Sequence, residues 1–162
     1  MGDYMEKELY IDFDGVILDS QERYKKDMLG KTALDDWISY LSSIEWYKFL
    51  RECNEIDESL STLQKLQKYR NLKGIITRIH AFDEGTEKVR FLREHGIEVP
   101  VFYVLPEQSK SSIVIPNIDR ILVDDDINNC LDWEQNGGKA ILLDPHSEIE
   151  SKAVIKSLKK LL

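Results

Sequence analysis

Asp12 and Asp14 stand two residues apart in Ile11-Asp12-Phe13-Asp14-Gly15-Val16, directly after a short apolar run. At the end of a strand such a pair projects together from the carboxyl edge, where open α/β sheets bind ligands. Carboxylate oxygens there suit a hard cation and a phosphate. Mg²⁺ takes one or two carboxylates plus substrate oxygens, and a carboxylate can itself attack as a nucleophile. An ordinary turn after a strand has the same composition. The choice rests on what else converges on that edge.

The elements that would position these residues follow from apolar runs. Residues 9–13 read as a first strand, and 74–77, 99–105, 121–123 and 140–143 as four more. Between them lie helical patterns at 83–95, closed by Gly96, and at 127–135, closed by Asn136-Gly137-Gly138. Alternation of this kind predicts βαβ units, hence an α/β fold: a Rossmann-like open parallel sheet of about five strands flanked by helices. Residues 148–162 place Ile149, Val154, Ile155, Leu158, Leu161 and Leu162 at helical spacing, which predicts a terminal helix on the sheet.

Residues 20–69 break the alternation. Leu34, Trp37, Ile38, Leu41 and Ile44 repeat at helical spacing behind a Thr32-x-x-Asp35 capping box, and two more helices follow around Trp46 to Cys53 and Leu60 to Leu66. The expected organisation is therefore a core of residues 1–19 and 70–162, with 20–69 as a small all-helical cap over Asp12 and Asp14.

In a parallel sheet the strand ends meet on one edge. The second strand delivers Thr77 and Arg78, and the fourth delivers Asp124, Asp125 and Asp126; Lys110 lies in the polar stretch between the third and fourth. Taken singly, Thr77 reads as a β-branched strand residue, Lys110 as a solvated loop charge, and the Asp run as a turn capping the next helix. Together, a nucleophilic carboxylate, a hydroxyl, an ammonium and a second acidic cluster match phosphoryl transfer through an aspartyl-phosphate, where cations must neutralise the phosphate oxygens. Three adjacent like charges also call for an offsetting cation.

The order Asp-x-Asp-Gly-Val, strand-Thr, Lys, strand-Asp-Asp resembles the haloacid dehalogenase-like (HAD) hydrolase superfamily, whose members are mostly Mg²⁺-dependent phosphatases. The match runs over residues 9–144 and places the helical insertion where that superfamily carries a small first-position cap. The resemblance implies Asp12 as nucleophile, Asp14 as general acid and then base, and Thr77, Arg78 and Lys110 around the phosphoryl group. It also implies Mg²⁺ held by Asp12, by the backbone carbonyl of Asp14, and by Asp125 with Asp124 beside it. Asp126 reads as a helix cap. Two departures stand out: Asn128 and Asn129 lie where many members carry a further acidic residue, and Arg78 lies where several carry Asn or Gly.

Rival readings are weaker. Receiver domains use similar groups in another chain order and lack the insertion, and a dehalogenase needs neither Asp14 nor a metal. A regulatory protein that keeps the site without turnover stays open. The Asp-Phe-Asp-Gly-Val start is similar to deoxyribonucleotidase-like members, and Trp37, Tyr40, Trp46, Tyr47 and Phe49 suit either a nucleobase platform or a helix-bundle core. The expected substrate is a small phosphorylated metabolite or nucleotide.

Composition limits the partners. A net charge of −8 over 162 residues argues against nucleic-acid polymers and membrane surfaces, which need basic protein. Cys53 and Cys130 are far apart, without ligand spacing, and read as small hydrophobes. Residues 1–8 are too polar for a secretory signal and no run approaches a membrane span, so the cytoplasm is the expected location.

Overall fold

Strand β1 (Glu8–Ile11) turns Leu9 and Ile11 to one face and Tyr10 to the other, and β4 (Arg120–Asp124) likewise splits Ile121 and Val123 from Leu122. Both faces are apolar because helices cover both, the usual condition of a parallel sheet. A computed structural model describes residues 6–149 and 151–162. Most of the polar leading stretch 1–8, and Glu150 of the expected terminal helix, lie outside the described residues.

The remaining strands are β2 (Leu72–Arg78), β3 (Val101–Val104), β5 (Lys139–Leu143) and β6 (Val154–Ile155). These six strands pair in parallel, in the order β3-β2-β1-β4-β5-β6. The helices are α1 (Ser20–Met28), α2 (Leu34–Ser43), α3 (Trp46–Glu52), α4 (Ser59–Tyr69), α5 (Phe82–Glu94) and α6 (Ile127–Gln135). Phe91 and Leu92 of α5 pack into the larger core with Leu9, Ile11 and Val123; Trp133 of α6 packs on the opposite face against Tyr10 and Leu122. No helix among the described residues is long and apolar enough to cross a membrane.

The terminal helix expected over 148–162 is replaced by an edge strand. Val154 and Ile155 pair with Leu142 and Leu143, and a 3₁₀ turn, Leu158–Leu161, follows with Ser157 accepting from the Lys159 N–H. The exposed edge of β5 offers unpaired backbone groups to a β-branched dipeptide, and Leu158 and Leu161, three apart, are buried as well by a 3₁₀ turn as by an α-helix. The Thr32 capping box is also absent: α2 starts behind Ala33 without a side-chain cap.

Segment 20–69 is helical and lies between β1 and β2, but its helices differ in anchorage. Trp46, Phe49 and Leu50 of α3 and Leu60, Leu63 and Leu66 of α4 join the main core, whereas α2 buries no residue. Helix α1, whose apolar face is only Tyr24 and Met28, had no sequence signal of its own. The loop after β1 is stitched to this segment: Ile17 O accepts from Ile56 N at 3.0 Å and Ser59 Oγ at 2.7 Å, and Asp19 N donates to Asn54 O at 2.8 Å.

Candidate active site

The chain extends the sheet from β1 first toward β2 and β3, then crosses back to β4, so a crevice opens outside the carboxyl ends of β1 and β4. Asp12 follows β1 directly and its N–H donates to Val123 O at 2.9 Å, continuing the ladder. Asp124 closes β4. Their carboxylates are both buried and face one ammonium: Lys110 Nζ lies 2.6 Å from Asp12 Oδ1 and 2.6 Å from Asp124 Oδ2.

Lys110 is only 2% exposed, which excludes the solvated loop charge. It begins a 3₁₀ turn, Lys110–Ser112, pinned to α6 by Ser111 Oγ donating to Asp132 Oδ2 at 2.6 Å. Burial pushes the ammonium down, but the Asp12 and Asp124 carboxylates outweigh it and hold Lys110 above its ordinary range.

The three adjacent acids have three distinct surroundings. Asp124 also accepts from Asp126 N at 2.9 Å and from Asn129 Nδ2 at 3.2 and 3.3 Å, so Asn129 supports it where a carboxylate would repel it. Asp125 accepts from Gln21 Nε2 at 3.3 Å. It lies against Gly15, where a Cβ would come within 2.0 Å of Asp125 Oδ2 and where φ is +78°; glycine is therefore required twice over. Asp126 caps α6, accepting from Asn128 N at 2.8 Å, as expected.

Oxygens of Asp12, Asp124 and Asp125 lie within 4.8 Å of one another. With Lys110 the cation in contact, this group carries surplus negative charge. Burial first, and Asp124 second, push Asp12 well above the usual carboxylate range and Asp125 up to about 6. Hard oxygen donors with uncompensated charge fit a divalent cation such as Mg²⁺. The Asp14 side chain is not part of this group, so its expected share in metal binding rests on its backbone carbonyl.

A raised carboxyl takes up a proton more readily folded than unfolded, so its ionised form costs stability; that cost grows as pH rises from the ordinary 3.8 toward about 6 and is complete above. Asp125→Asn therefore stabilises the metal-free protein at pH 7.5 by on the order of 1–2 kcal/mol, with no gain near pH 4, and loses most of the thermal stabilisation by Mg²⁺. Asp126→Ala costs about 1 kcal/mol of capping and keeps the Mg²⁺ response. Melting curves with and without Mg²⁺ check both, and the reverse pattern would move the metal assignment by one residue.

Asp14 is held at both oxygens: Oδ1 accepts from Ser20 Oγ and Oδ2 from Lys88 Nζ, each at 2.6 Å. Sequence reasoning missed Lys88. Fully buried on α5, it also donates to Thr77 Oγ1 at 2.9 Å and Arg78 O at 3.1 Å, and pairs with Glu84 Oε1 at 3.0 Å. Its signal was position: Glu84, Lys88, Phe91 and Leu92 share one helical face, so this Glu/Lys pair points inward with the apolar residues. Burial lowers the Lys88 pKa, but Asp14 and Glu84 raise it further and hold it above the usual lysine range. Glu84 Oε2 accepts from His80 N at 2.6 Å and lies 3.3 Å from His80 Nδ1.

Thr77, the last residue but one of β2, is fully buried and held by Lys88. Arg78 reaches the cleft, yet its Nη1 donates to the carbonyls of Leu105, Pro106 and Gln108 at 2.8–2.9 Å. It thereby braces the loop that leads to Lys110. The cleft has a volume of about 400 Å³; Asp12, Asp14, Lys110 and Asp125 line one side, and Gln21, Tyr24, Lys25 and Trp37 the other. Of the helical aromatics, Trp46 and Phe49 are core, and Tyr40 donates to Asp27 Oδ2. Trp37 meets Tyr24 and His80 edge-on at 5.3 and 6.0 Å.

No family model matches the chain, and no curated protein matches its sequence. Solved structures do match. The chain is similar to a HAD-superfamily hydrolase of subfamily IA, variant 1, from Geobacter sulfurreducens, at 13% identity over 98% of this chain and 96% of that one, TM-score 0.62. It is similar to a HAD-superfamily hydrolase from Ehrlichia chaffeensis at 11% identity, over 97% and 95%, TM-score 0.56. A dehalogenase solved as an intermediate complex matches at 10% identity, over 98% and 96%, TM-score 0.58. The likeness covers nearly the whole chain at each comparison, and at these identities what it establishes is the fold.

Proposed function

We propose, from a HAD-hydrolase fold that carries this carboxylate and ammonium cluster at its sheet edge, that the chain is a Mg²⁺-dependent phosphatase of small phosphate monoesters. The observation that carries the reading is Asp12: Lys110 holds one of its oxygens in a buried site, leaving the other for attack on phosphorus. The Asp12 carboxylate forms an O–P bond as the P–O bond to the leaving group breaks, and Asp14 supplies the proton to the departing oxygen. Asp14 then takes a proton from water as that water attacks the aspartyl-phosphate, releasing inorganic phosphate and restoring Asp12. Asp12, Asp125 and Asp124 would hold Mg²⁺, which would supply positive charge for the phosphate oxygens.

Lys110 and Thr77 hold the phosphoryl group. Thr77 Oγ1 accepts from Lys88 at 2.9 Å and donates to Arg78 O at 3.4 Å, a long contact that a phosphoryl oxygen would replace. Helices α1 and α2 form the opposite wall, and a cleft of about 400 Å³ suits a small metabolite or mononucleotide rather than a folded phosphoprotein. Asp14 separates this reading from a dehalogenase, which has no leaving oxygen to protonate.

The test is turnover on a panel of alkyl and aryl phosphates and 2-haloacids, with Mg²⁺ and with chelator. Phosphate release that requires Mg²⁺, without halide release, is expected. On the same panel Asp14→Asn slows alkyl esters by about 10²–10⁴-fold and activated aryl esters, whose oxygens leave without a proton, much less. Halide release, or no turnover of any ester, would overturn the proposal.

A further inference from the structure

We propose that Lys88 is the positioning residue of Asp14, an anchor on α5 that fixes the proton-transferring carboxylate; this rests on the phosphatase reading of the same site. Asp14 follows β1 in a loop tied to the helical insertion, and Ser20, its other partner, begins α1. Those ties alone would let the carboxylate follow the insertion. Lys88 ties it to the opposite side, to β2 and α5.

The geometry of the lysine is that of a brace. An ammonium has three protons, and Lys88 Nζ meets Asp14 Oδ2, Thr77 Oγ1 and Arg78 O at 2.6, 2.9 and 3.1 Å, with Glu84 Oε1 at 3.0 Å as counter-charge. No proton is spare, and the side chain is fully buried, so Lys88 does not reach substrate. Glu84 is itself fixed by the His80 N–H, and the ammonium lies 5.0 Å from the centre of the Phe13 ring. A buried charge pair of this kind is a poor device for stability alone, since an apolar pair of similar volume generally serves as well. Direct contact with Asp14 gives it a purpose.

Lys88→Met alone strands Glu84 and Asp14, so loss of activity there would not separate positioning from folding. Lys88→Met with Glu84→Gln removes the buried pair together, and its melting temperature is expected close to that of wild type. Positioning predicts that this double variant reproduces the Asp14→Asn profile, with alkyl phosphates slowed at least about tenfold more than aryl phosphates. Adding Asp14→Asn to it then costs less than about threefold further, because residues acting as a unit are not additive. Lys88→Gln, which keeps a neutral N–H donor, is measured beside it, and the profile is read on whichever variant melts cooperatively. Equal losses on both ester types, wild-type rates, or a full multiplicative loss on adding Asp14→Asn would overturn the role of Lys88 while leaving the phosphatase standing. A wild-type protein inert toward every ester would overturn both.

Discussion

Asp12→Asn abolishes ester hydrolysis, lowering turnover by at least about 10⁴-fold, while the protein folds as before. The amide is nearly isosteric and still presents an oxygen to Lys110, so the contact of Lys110 with Asp12 survives in neutral form. The nucleophile does not survive, because an amide oxygen attacks phosphorus poorly. Acid quenching during turnover, followed by peptide mass analysis, is the direct check: wild type carries one phosphoryl group on the peptide containing Asp12 and the variant carries none. Wild-type turnover in Asp12→Asn, or a phosphoryl group on another aspartate, would remove the mechanism.

Lys110→Met has the largest expected effect on stability. The methionine fills similar space but leaves Asp12 and Asp124 buried and unpaired, and breaking a buried ion pair from one side costs about 3–5 kcal/mol. In a chain of this size that lowers the melting temperature by roughly 10 °C. Mg²⁺ recovers part of the loss, since it neutralises the same carboxylates. Adding Asp124→Asn also recovers part, by removing one stranded charge. Melting with and without Mg²⁺ measures both, and an unchanged melting temperature would mean that Lys110 does not hold this cluster together.

Much of the sheet was legible because fully buried parallel strands read as plain apolar runs. Residues 9–13, 74–77, 121–123 and 140–143 each fall on or beside an observed strand. The edge-facing residues were legible for a topological reason: once the strands are parallel, whatever follows each one arrives at the same edge. Lys110 belongs to no strand. Its inward turn is braced by the bond of Ser111 to Asp132, the sixth residue of α6, and no local pattern announces that contact.

The misses share a cause. Val154 and Ile155 follow helical spacing, but the unpaired edge of β5 draws them into the sheet. The Glu84 and Lys88 pair has the spacing of a solvent-facing salt bridge, and only its alignment with Phe91 and Leu92 shows that it is inside. In each case contacts distant in sequence override a local preference. The aromatics divide for the same reason, since burial of Trp46 and Phe49 depends on helices distant in sequence, α5 above all, and the cleft position of Trp37 on Tyr24 and His80 beside it.

Helix α2 buries no residue, although it carries Trp37 at the cleft. Local opening free energy follows buried apolar contact, so the two walls of the cleft belong to different rungs of a stability ladder. The sheet edge, where Asp12, Asp124 and Lys110 are buried at the cleft, is expected to open only near the free energy of global unfolding. Helix α2 opens at a small fraction of that free energy, and its amide protons exchange long before those of β1 and β4. On the phosphatase reading, a substrate would reach the sheet edge by displacing this weakly held wall, with the buried charges left in place.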